Sequence, residues 1–418
     1  MKRRYAVVGL GSRGFGMFAK PLVDEYADVA EVVAFCDRNQ HRMDLANRLL
    51  SRSIPTFQDF DAMLKAARPD VLVIATMDAT HHRFIIAGLE AGCEVITEKP
   101  MTTTADNVRA ILAAERRTGG KVQVTFNARY GPPTEELKKQ LNAGTVGQIV
   151  SVDFAEFLDT EHGADYFRRW HRRKENSGGL LIHKATHHFD QLNWWIGADP
   201  ETVFAFGDTR FYGPTRAERG ERCLTCAYTK TCEFYLDLRA NKRLRELYLD
   251  GEGEDGYYRD RCVFADDIDA EDSMVVTVRY ANGVLLNYSL NAYMPYEGQR
   301  IGFNGTKGRM EIDLVDRYHG PDATGKVRVL PLPVPPVVRV SPLFGRPWEV
   351  AVEEREGGHG GADVGIRDHL FRPGSPDPLA QRAGSRAGAM SVLIGVAANM
   401  SIASGKPVAI QDLLRDGS

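Results

Sequence analysis

A glycine-rich turn near the amino terminus constrains the fold more than any other feature of this sequence. The apolar run Tyr5–Val8 leads directly into the segment Gly9–Gly14, which fits the pattern G-x-G-x-x-G, and a helical pattern follows. Between a strand and a helix, such glycines allow a tight turn whose backbone amides reach the pyrophosphate of a dinucleotide. The residues expected to contact this cofactor are Gly9, Gly11, Ser12, Arg13 and Gly14.

An acidic residue after the second strand pattern supports this interpretation. The run Glu31–Cys36 is followed by Asp37, whose carboxylate can accept hydrogen bonds from the hydroxyls of the adenosine ribose. The same charge would repel a 2′-phosphate, so we expect NAD as the cofactor. Arg38, the next residue, leaves NADP open as the less favoured alternative.

The first third of the chain alternates between strand and helix patterns, which predicts an α/β fold. Most strand runs are continuously apolar and β-branched, as parallel strands buried on both faces are. We therefore expect a Rossmann domain with a doubly wound parallel sheet over residues 1–126. Strands are predicted at Tyr5–Val8, Glu31–Cys36, Val71–Thr76, Glu94–Thr97 and Val122–Phe126. Helices are predicted at 14–27, 38–50, 58–67, 80–91 and 104–118.

The pattern changes after residue 126, and residues 127–418 are expected to form a second α/β domain. Alternating strand patterns predict a mixed or antiparallel sheet with helices on one face, and Ala281-Asn282-Gly283 is typical of a hairpin turn. Strands are predicted at 148–157, 202–211, 273–280, 284–291, 300–303 and 309–314, and helices at 132–142, 179–196 and 384–404. The charged residues 213–271 are interpreted as an insertion, and the Pro- and Gly-rich residues 331–386 as largely loop.

The length and the net charge of the chain limit the classes of protein to which it can belong. At 418 residues the chain is too long for one ordinary hydrophobic core, so two domains are expected. Lys and Arg total 53 against 56 for Asp and Glu, which gives no reason to expect a nucleic-acid partner. No apolar run looks long enough for a membrane helix, and the basic start Lys2-Arg3-Arg4 lacks a cleavage-site pattern. We expect a cytoplasmic protein without a membrane partner.

A tripeptide at the end of the fourth strand pattern connects the chain to a known family. Together with the glycine turn, Ala75-Thr76…His81 and Gly178-Gly179…His187…Asp190, the tripeptide Glu98-Lys99-Pro100 resembles the motifs of the Gfo/Idh/MocA oxidoreductases. That family includes glucose–fructose oxidoreductase and inositol dehydrogenase. The resemblance implies a second domain with a large open-faced, mostly antiparallel sheet, and association into a homodimer or homotetramer. It also implies a sugar, a sugar derivative or a cyclitol as the substrate.

The resemblance places Lys99 beside the nicotinamide ribose and the reacting hydroxyl of the substrate. A cation at that point lowers the cost of alkoxide character as hydride leaves. Further contacts to the cofactor are expected from Thr76, His81, Glu98 and Asn127.

Three histidines and a lysine fall within six residues after a pair of glycines. In a continuous helix, His183, His187 and Asp190 would share one face. By the resemblance, His187 matches the family histidine, Asp190 matches the later acid, and His183 stands where the family usually has Asp. We expect His187 to act as the general base, because an imidazole titrates near neutral pH, and His183 or Lys184 to replace the missing carboxylate. A metal-binding helix ranks lower, since no third ligand is evident.

Other residues are weaker candidates for the substrate pocket. Arg129 lies where the chain leaves the first domain, and it can orient substrate or hold the joint between the domains. Tyr166 and Trp170 can stack on a sugar face or be buried, and His359 lies in a Gly-rich loop that can fold over the pocket or form a surface turn. With the residues implied by the resemblance, the expected pocket comprises Lys99, Arg129, Tyr166, Trp170, His183, Lys184, His187, Asp190 and His359.

Four of the six cysteines cluster in the insertion, at Cys223, Cys226, Cys232 and Cys262. In a reducing compartment such a set more often holds a metal than forms disulfides. A structural zinc site is one interpretation, and an iron–sulfur cluster or free thiols are the alternatives.

Three functions fit these patterns. The first is an NAD-dependent dehydrogenase of a sugar or cyclitol, with Lys99 and His187 as the central groups and His183 and Lys184 beside them. The second is a redox-neutral enzyme of glycosidase or lyase type that oxidises a ring carbon transiently and then returns the hydride. The third is a sensor of sugar or NAD without catalysis.

Overall fold

In the computed structural model, which describes residues 1–321, 327–330, 336–358, 360–372 and 374–415, the first domain contains six strands. They are β1 (Arg3–Val8), β2 (Ala30–Cys36), β3 (Thr56–Phe57), β4 (Val71–Ile74), β5 (Glu94–Thr97) and β6 (Val122–Val124). All neighbouring strands are parallel, in the order β3-β2-β1-β4-β5-β6. Every residue of β4 is buried, as a central strand covered on both faces requires. The predicted doubly wound parallel sheet is confirmed.

Helices cover both faces of this sheet, and their ends follow sequence signals. A π-helical segment (Gly14–Ala19) continues into α1 (Lys20–Asp24), followed by α2 (Gln40–Leu50), α3 (Phe60–Ala67), α4 (His81–Glu90) and α5 (Ala105–Thr118). The Thr104 side chain accepts a hydrogen bond from the Asn107 amide and so caps the start of α5. Gly119 ends the helix in a left-handed conformation.

Within the part of the chain that the structure describes, the second domain contains one sheet of ten strands. They are β7 (Ile149–Asp159), β8 (Pro200–Asp208), β9 (Ser273–Tyr280), β10 (Leu285–Met294), β11 (Tyr296–Gly305), β12 (Gly308–Pro321), β13 (Val327–Leu330), β14 (Val337–Pro342), β15 (Trp348–Ala351) and β16 (Val408–Ala409). The order is β15-β14-β12-β11-β7-β10-β9-β8-β16, with β13 paired to β12. The β7–β10 pair is parallel and the other pairs are antiparallel, so the predicted mostly antiparallel sheet is confirmed.

The helices after residue 126 are α6 (Pro132–Asn142), α7 (Thr160–Arg168), α8 (Lys174–Ser177), α9 (Leu180–His183), α10 (Thr186–Ile196), α11 (Lys242–Leu244), α12 (Glu252–Asp255), α13 (Ala362–Phe371), α14 (Ser385–Ser404) and α15 (Ile410–Leu414). Among them, α6, α7 and α14 contact one face of this sheet, whereas α12 lies against α2 and α13 packs on the core of the first domain. Shorter turns of helix lie at Asp78–Thr80, Asn127–Tyr130, Trp170–Arg172, Cys223–Thr225 and Arg245–Leu249. The opposite face carries exposed apolar side chains, such as Phe206, Val275 and Leu285.

Helix α14 is long and apolar enough to cross a membrane, judged by its length and composition alone, although no segment of this kind was expected from the sequence. In its apolar window, 61% of the residues are buried inside the protein. The helix contacts β8, α9 and α10, so its apolar character is explained by its position in the core of the second domain.

Two predicted elements differ from the structure. The continuous helix expected at 179–196 breaks between α9 and α10, because the Lys99 ammonium takes the His183 carbonyl that an unbroken helix would use. The His187 amide bonds the Lys184 carbonyl instead. The stretch 331–386, expected to be largely loop, contains β14, β15 and α13.

Candidate active site

A cleft of about 1020 Å³ lies between the two domains, at the carboxyl edge of the first sheet. The ends of β1, β4 and β5 contribute the glycine turn, Thr76 and Lys99, and the second domain contributes the segment from His183 to His188. Ligands bind at this edge in doubly wound folds, where the strand order reverses between β1 and β4.

The glycine turn is shaped to admit a pyrophosphate. Gly9 has a φ of +90°, and a Cβ at Gly14 would lie 1.8 Å from the Gly9 carbonyl oxygen, so both positions require glycine. At Gly11 a Cβ would meet the Tyr248 hydroxyl at 3.9 Å and nothing closer, so this residue opens into the cleft. The backbone therefore fits the dinucleotide that the sequence predicts.

Asp37 lies at the adenosine end of the same turn. Its carboxylate accepts hydrogen bonds from the Leu10 amide at 2.6 Å and the Asn39 amide at 2.9 Å. These bonds hold the carboxylate against the glycine turn, where ribose hydroxyls bind in Rossmann folds. Arg38 is mostly exposed and lines the same end of the cleft.

Three predicted cofactor residues meet at the opposite end of the turn. Arg13 Nε donates to Glu98 Oε1 at 2.6 Å, and its guanidinium lies 3.5 Å from Asp363. Asn127 donates to the same Asp363 carboxylate at 2.7 Å. Asp363 was not predicted; it lies in the first turn of α13, directly after the Gly-rich segment that was expected either to fold over the pocket or to form a surface turn. His359 of that segment lies outside the described residues.

Thr76 and His81 contribute differently from each other. Thr76 lines the cleft, with its hydroxyl 2.8 Å from that of Thr80. His81 is fully buried, and its ring nitrogens face the carbonyl oxygens of Pro100 at 2.8 Å and Thr76 at 3.1 Å. His81 also lines the cleft, and its contact with the cofactor stays a prediction.

Lys99 is the central cation of the cleft. Its Nζ donates to the His183 carbonyl oxygen at 3.0 Å. Burial lowers the pKa of Lys99 to about 8, and the nearby carboxylates of Asp78 and Glu98 oppose this shift. The ammonium thus stands against the helix segment that carries the histidines.

His183 forms a pair that the sequence did not predict. Its Nδ1 lies 2.5 Å from Asp78 Oδ2, and its ring is 4.0 Å from that of His171. Burial lowers the pKa of His183 and raises that of Asp78, which disfavours the doubly charged form of the pair. Asp78 follows β4 in the first domain, so this contact also joins the two domains across the cleft.

His187 lines the cleft one turn beyond His183. Its Nδ1 is buried and has no hydrogen-bond partner among the described residues. Burial, with the charges of Lys99 and Lys184, lowers the pKa of His187 well below its usual range, so the ring is neutral. A neutral imidazole beside an ammonium is able to accept a proton from a bound hydroxyl.

Lys184 is held by an acid on the neighbouring sheet. Its Nζ lies 2.9 Å from Glu156 Oε1, and His188 Nε2 lies 3.3 Å from the other oxygen of that carboxylate. Burial has the largest single effect and lowers the pKa of Lys184, but the neighbouring acidic groups, Glu156 first, together outweigh it and raise this pKa. His188 Nδ1 also lies 2.8 Å from the Tyr288 hydroxyl, and this histidine lines the cleft beside Lys184.

The aromatic candidates lie at the far end of the cleft. Tyr166 and Trp170 both line it, and the Tyr166 hydroxyl lies 2.9 Å from His162 Nε2. His162 Nδ1 is in turn 2.6 Å from Glu297. Polar groups interleaved with aromatic rings in this way suit a polyhydroxylated ligand.

Arg129 and Asp190 do not belong to the cleft lining, which corrects their predicted contact with substrate. The Arg129 guanidinium binds the Asp190 carboxylate through two hydrogen bonds of 2.6 Å, and both residues are buried. The break before α10 turns Asp190 away from the face that the continuous helix predicted. Losing one partner of such a buried pair typically costs about 3–5 kcal/mol, so the pair holds the domain joint.

The four clustered cysteines line a small cavity of about 20 Å³ in the insertion. All are free thiols, and the guanidinium of Arg216 approaches the Cys232 sulfur at 3.4 Å. Within the described residues, no three His, Cys, Asp or Glu side chains are arranged to hold a metal ion. The predicted zinc site at Cys223, Cys226, Cys232 and Cys262 is therefore not supported.

Sequence reasoning missed the insertion as part of the cleft. Tyr248 and Tyr257 line it, and the Tyr248 hydroxyl accepts a hydrogen bond from the Ser12 amide at 3.1 Å. Ser12 and Tyr248 are 236 positions apart, so no local sequence pattern could have predicted this contact.

Comparisons with known proteins agree with this geometry. Residues 3–126 match the family model described as "Oxidoreductase family, NAD-binding Rossmann fold", and residues 138–410 match "Oxidoreductase family, C-terminal alpha/beta domain". The YteT protein of Bacillus subtilis (strain 168) is 37% identical over 97% of both chains. Inositol 2-dehydrogenase of Rubrobacter xylanophilus is 31% identical over 48% of this chain and 54% of its own.

A solved structure shares the fold along the whole chain. The WlbA dehydrogenase from Bordetella pertussis, in complex with NADH and UDP-GlcNAcA, is 19% identical and superimposes with a TM-score of 0.65 over 98% of this chain and 99% of its own. The two matching domains, the glycine turn and the lysine of the Glu-Lys-Pro tripeptide lead to one assignment. The chain belongs to the Gfo/Idh/MocA family of oxidoreductases.

Proposed function

We propose that this protein is an NAD-dependent dehydrogenase that acts on a ring carbinol of a sugar, a sugar derivative or a cyclitol. The observation that carries the proposal is the position of Lys99, which contacts the backbone at His183 and faces the same cleft as His187. A buried cation and a neutral imidazole next to a dinucleotide turn are the two groups that oxidation of an alcohol needs.

The cofactor, when bound, supplies the hydride acceptor. Gly9, Gly11 and Gly14 shape the turn for its pyrophosphate, and Asp37 offers its carboxylate to the adenosine ribose. His187 takes the proton of the substrate hydroxyl. Lys99 stabilises the negative charge that develops on that oxygen, in a site where burial strengthens the interaction. Lys184, His183 and the aromatic end of the cleft orient the ring.

The substrate class also rests on relatives. Inositol 2-dehydrogenase and D-glucoside 3-dehydrogenase are among the similar proteins, each by name acting on a ring alcohol. The polar cluster of His162, Tyr166 and Glu297 gives this cleft partners for several hydroxyls.

The test is NADH formation with a panel of inositols and glucosides. Lys99→Ala and His187→Ala should each lower kcat by about 10²- to 10⁴-fold while the Kd for NAD stays within about threefold, because these groups act on the reacting oxygen. His82→Ala, which changes a histidine outside the cleft lining, is the matched control and should retain the activity. Normal turnover in both cleft variants would refute these assignments.

A redox-neutral reaction is the second candidate, and one observation favours it. The insertion covers the glycine turn through Tyr248, which would retain the cofactor between turnovers. Solvent deuterium incorporated next to the oxidised carbon, without stoichiometric release of NADH, would identify this reaction. Stoichiometric NADH release identifies the simple dehydrogenase.

A further inference from the structure

We propose that the insertion completes the dinucleotide site, and that its Asp255 sets the preference for NAD over NADP by pairing with Arg42, an arginine that a 2′-phosphate would otherwise bind. This inference rests on the proposed NAD-dependent function. It assigns a cofactor-selecting role to a residue of the second domain, far in sequence from the glycine turn.

The first step is the contact between the insertion and the first domain. Residues 241–257 lie against the start of α2, where Asn39 Nδ2 donates to the Gly251 carbonyl at 2.8 Å. The His41 ring lies 2.7 Å from the Glu246 carbonyl oxygen, and the His41 amide donates to the Glu254 carboxylate at 3.1 Å. These bonds fix the segment beside the adenosine end of the cleft.

The second step is the position of Asp255 at the end of α12. Its Oδ2 lies 2.8 Å from Arg42 and 3.5 Å from Arg38. The Asp255 side chain is 2% exposed and that of Arg42 is 9% exposed, so this ion pair is shielded from solvent. The Arg42 guanidinium also lies over the rings of Tyr248 and Tyr257, with centroids 5.7 and 5.8 Å away.

The third step concerns the ribose that these arginines adjoin. Arg42 is 3.7 Å from Asp37, the carboxylate expected to bind the ribose hydroxyls. In Rossmann folds an arginine at this point commonly accommodates the 2′-phosphate of NADP. Here Arg42 Nη1 is already paired with Asp255, and the guanidinium lies near the rings of Tyr248 and Tyr257. A phosphate would have to displace a buried carboxylate and would meet two negative charges, from Asp37 and Asp255.

The experiment measures nucleotide binding by isothermal titration calorimetry, with NAD and NADP titrated separately into the full chain stripped of nucleotide. Asp255→Asn should tighten NADP binding about tenfold and change NAD binding by less than about threefold, because one freed guanidinium gains a charge-assisted bond to phosphate. Adding Arg42→Gln to Asp255→Asn should remove the gain.

Glu254→Gln is the matched control, since it removes the same charge from the same short helix but contacts the His41 backbone instead of an arginine. An equal gain in this variant would mean a general charge effect and would overturn the proposal. So would an unchanged ratio of NADP to NAD affinity in Asp255→Asn. Wild-type protein that binds neither nucleotide would instead refute the proposed function.

Arg42→Gln alone keeps the test decisive if Asp255→Asn does not fold. The proposal expects the weak affinity of the wild type for NADP to stay unchanged, because Arg42 is already occupied. A further loss of NADP affinity would show that Arg42 serves the phosphate in the wild type, against the proposal.

Discussion

The charge of Lys99 changes within the pH range in which enzymes are assayed. Burial lowers the pKa of this lysine to about 8, so the ammonium predominates below that value and is lost above it. We expect kcat/KM for the oxidation to fall as the pH rises through about 8. A pH–rate profile measures this, with cofactor saturating at each pH.

Lys184 can be compared with Lys99, because the pKa values of these two lysines are shifted in opposite directions. Glu156 raises the pKa of Lys184, so this lysine stays charged across the same range and does not contribute a descending limb. A rate that stays constant up to the ordinary lysine value, about 10.4, would show that the charge of Lys99 is not required.

The sequence predicted the residues of the cleft that belong to compact motifs, such as the glycine turn, Lys99 and His187. It did not predict their partners. Asp78 and His183 are separated by 105 positions, and their contact depends on how the two domains meet. Asp190 was assigned to substrate because a carboxylate at helical spacing looks available until its buried partner, Arg129, is known. Arg129 itself was expected either to orient substrate or to hold the joint between the domains.

The break between α9 and α10 illustrates the same limit for secondary structure. The pattern at 179–196 favours one helix, and the interruption coincides with the hydrogen bond from Lys99 to the His183 carbonyl, which joins residues 84 positions apart. Strand and helix order in the first domain was predictable because each element has its own apolar period and end signals. The two-residue strand β3 is too short to produce such a period.

The glycine turn gives a prediction for the element that enters the first helix. A Cβ at Gly14 would collide with the Gly9 carbonyl at 1.8 Å, whereas nothing lies within 4 Å of a Cβ at Gly16. Gly14→Ala should displace the turn, abolish NAD binding in calorimetry and destabilise the protein beyond the about 1–3 kcal/mol of ordinary overpacking.

Gly16→Ala is the matched variant two residues away. It should bind NAD normally and, by removing backbone freedom, leave the free energy of unfolding unchanged or raised by up to about 1 kcal/mol in urea. Equal NAD binding by both variants would contradict the role given to the turn.

At the scale of the whole molecule, one face of the second-domain sheet carries exposed apolar side chains. Phe206 on β8 is 62% exposed and lies opposite Val275 on β9. The homo-oligomer expected from the family resemblance stays a prediction, and we expect this face to pair with a second copy of the chain. Light scattering after gel filtration should give a multiple of 46.5 kDa.

Phe206→Asp should reduce that mass to the monomer value, because a carboxylate at the centre of an apolar interface is costly to bury. Leu49→Asp, which changes an exposed side chain on α2 of the first domain, is the control and should leave the mass unchanged. A monomeric wild type would count against the pairing.

The segment 241–257 leaves the second domain, rests on α2 of the first and returns. It therefore connects the two domains at the adenosine end of the cleft. We therefore expect the exchange of reduced for oxidised cofactor to require movement of this segment away from α2. A covalent crosslink between the segment and α2 should then slow the release of a bound nucleotide.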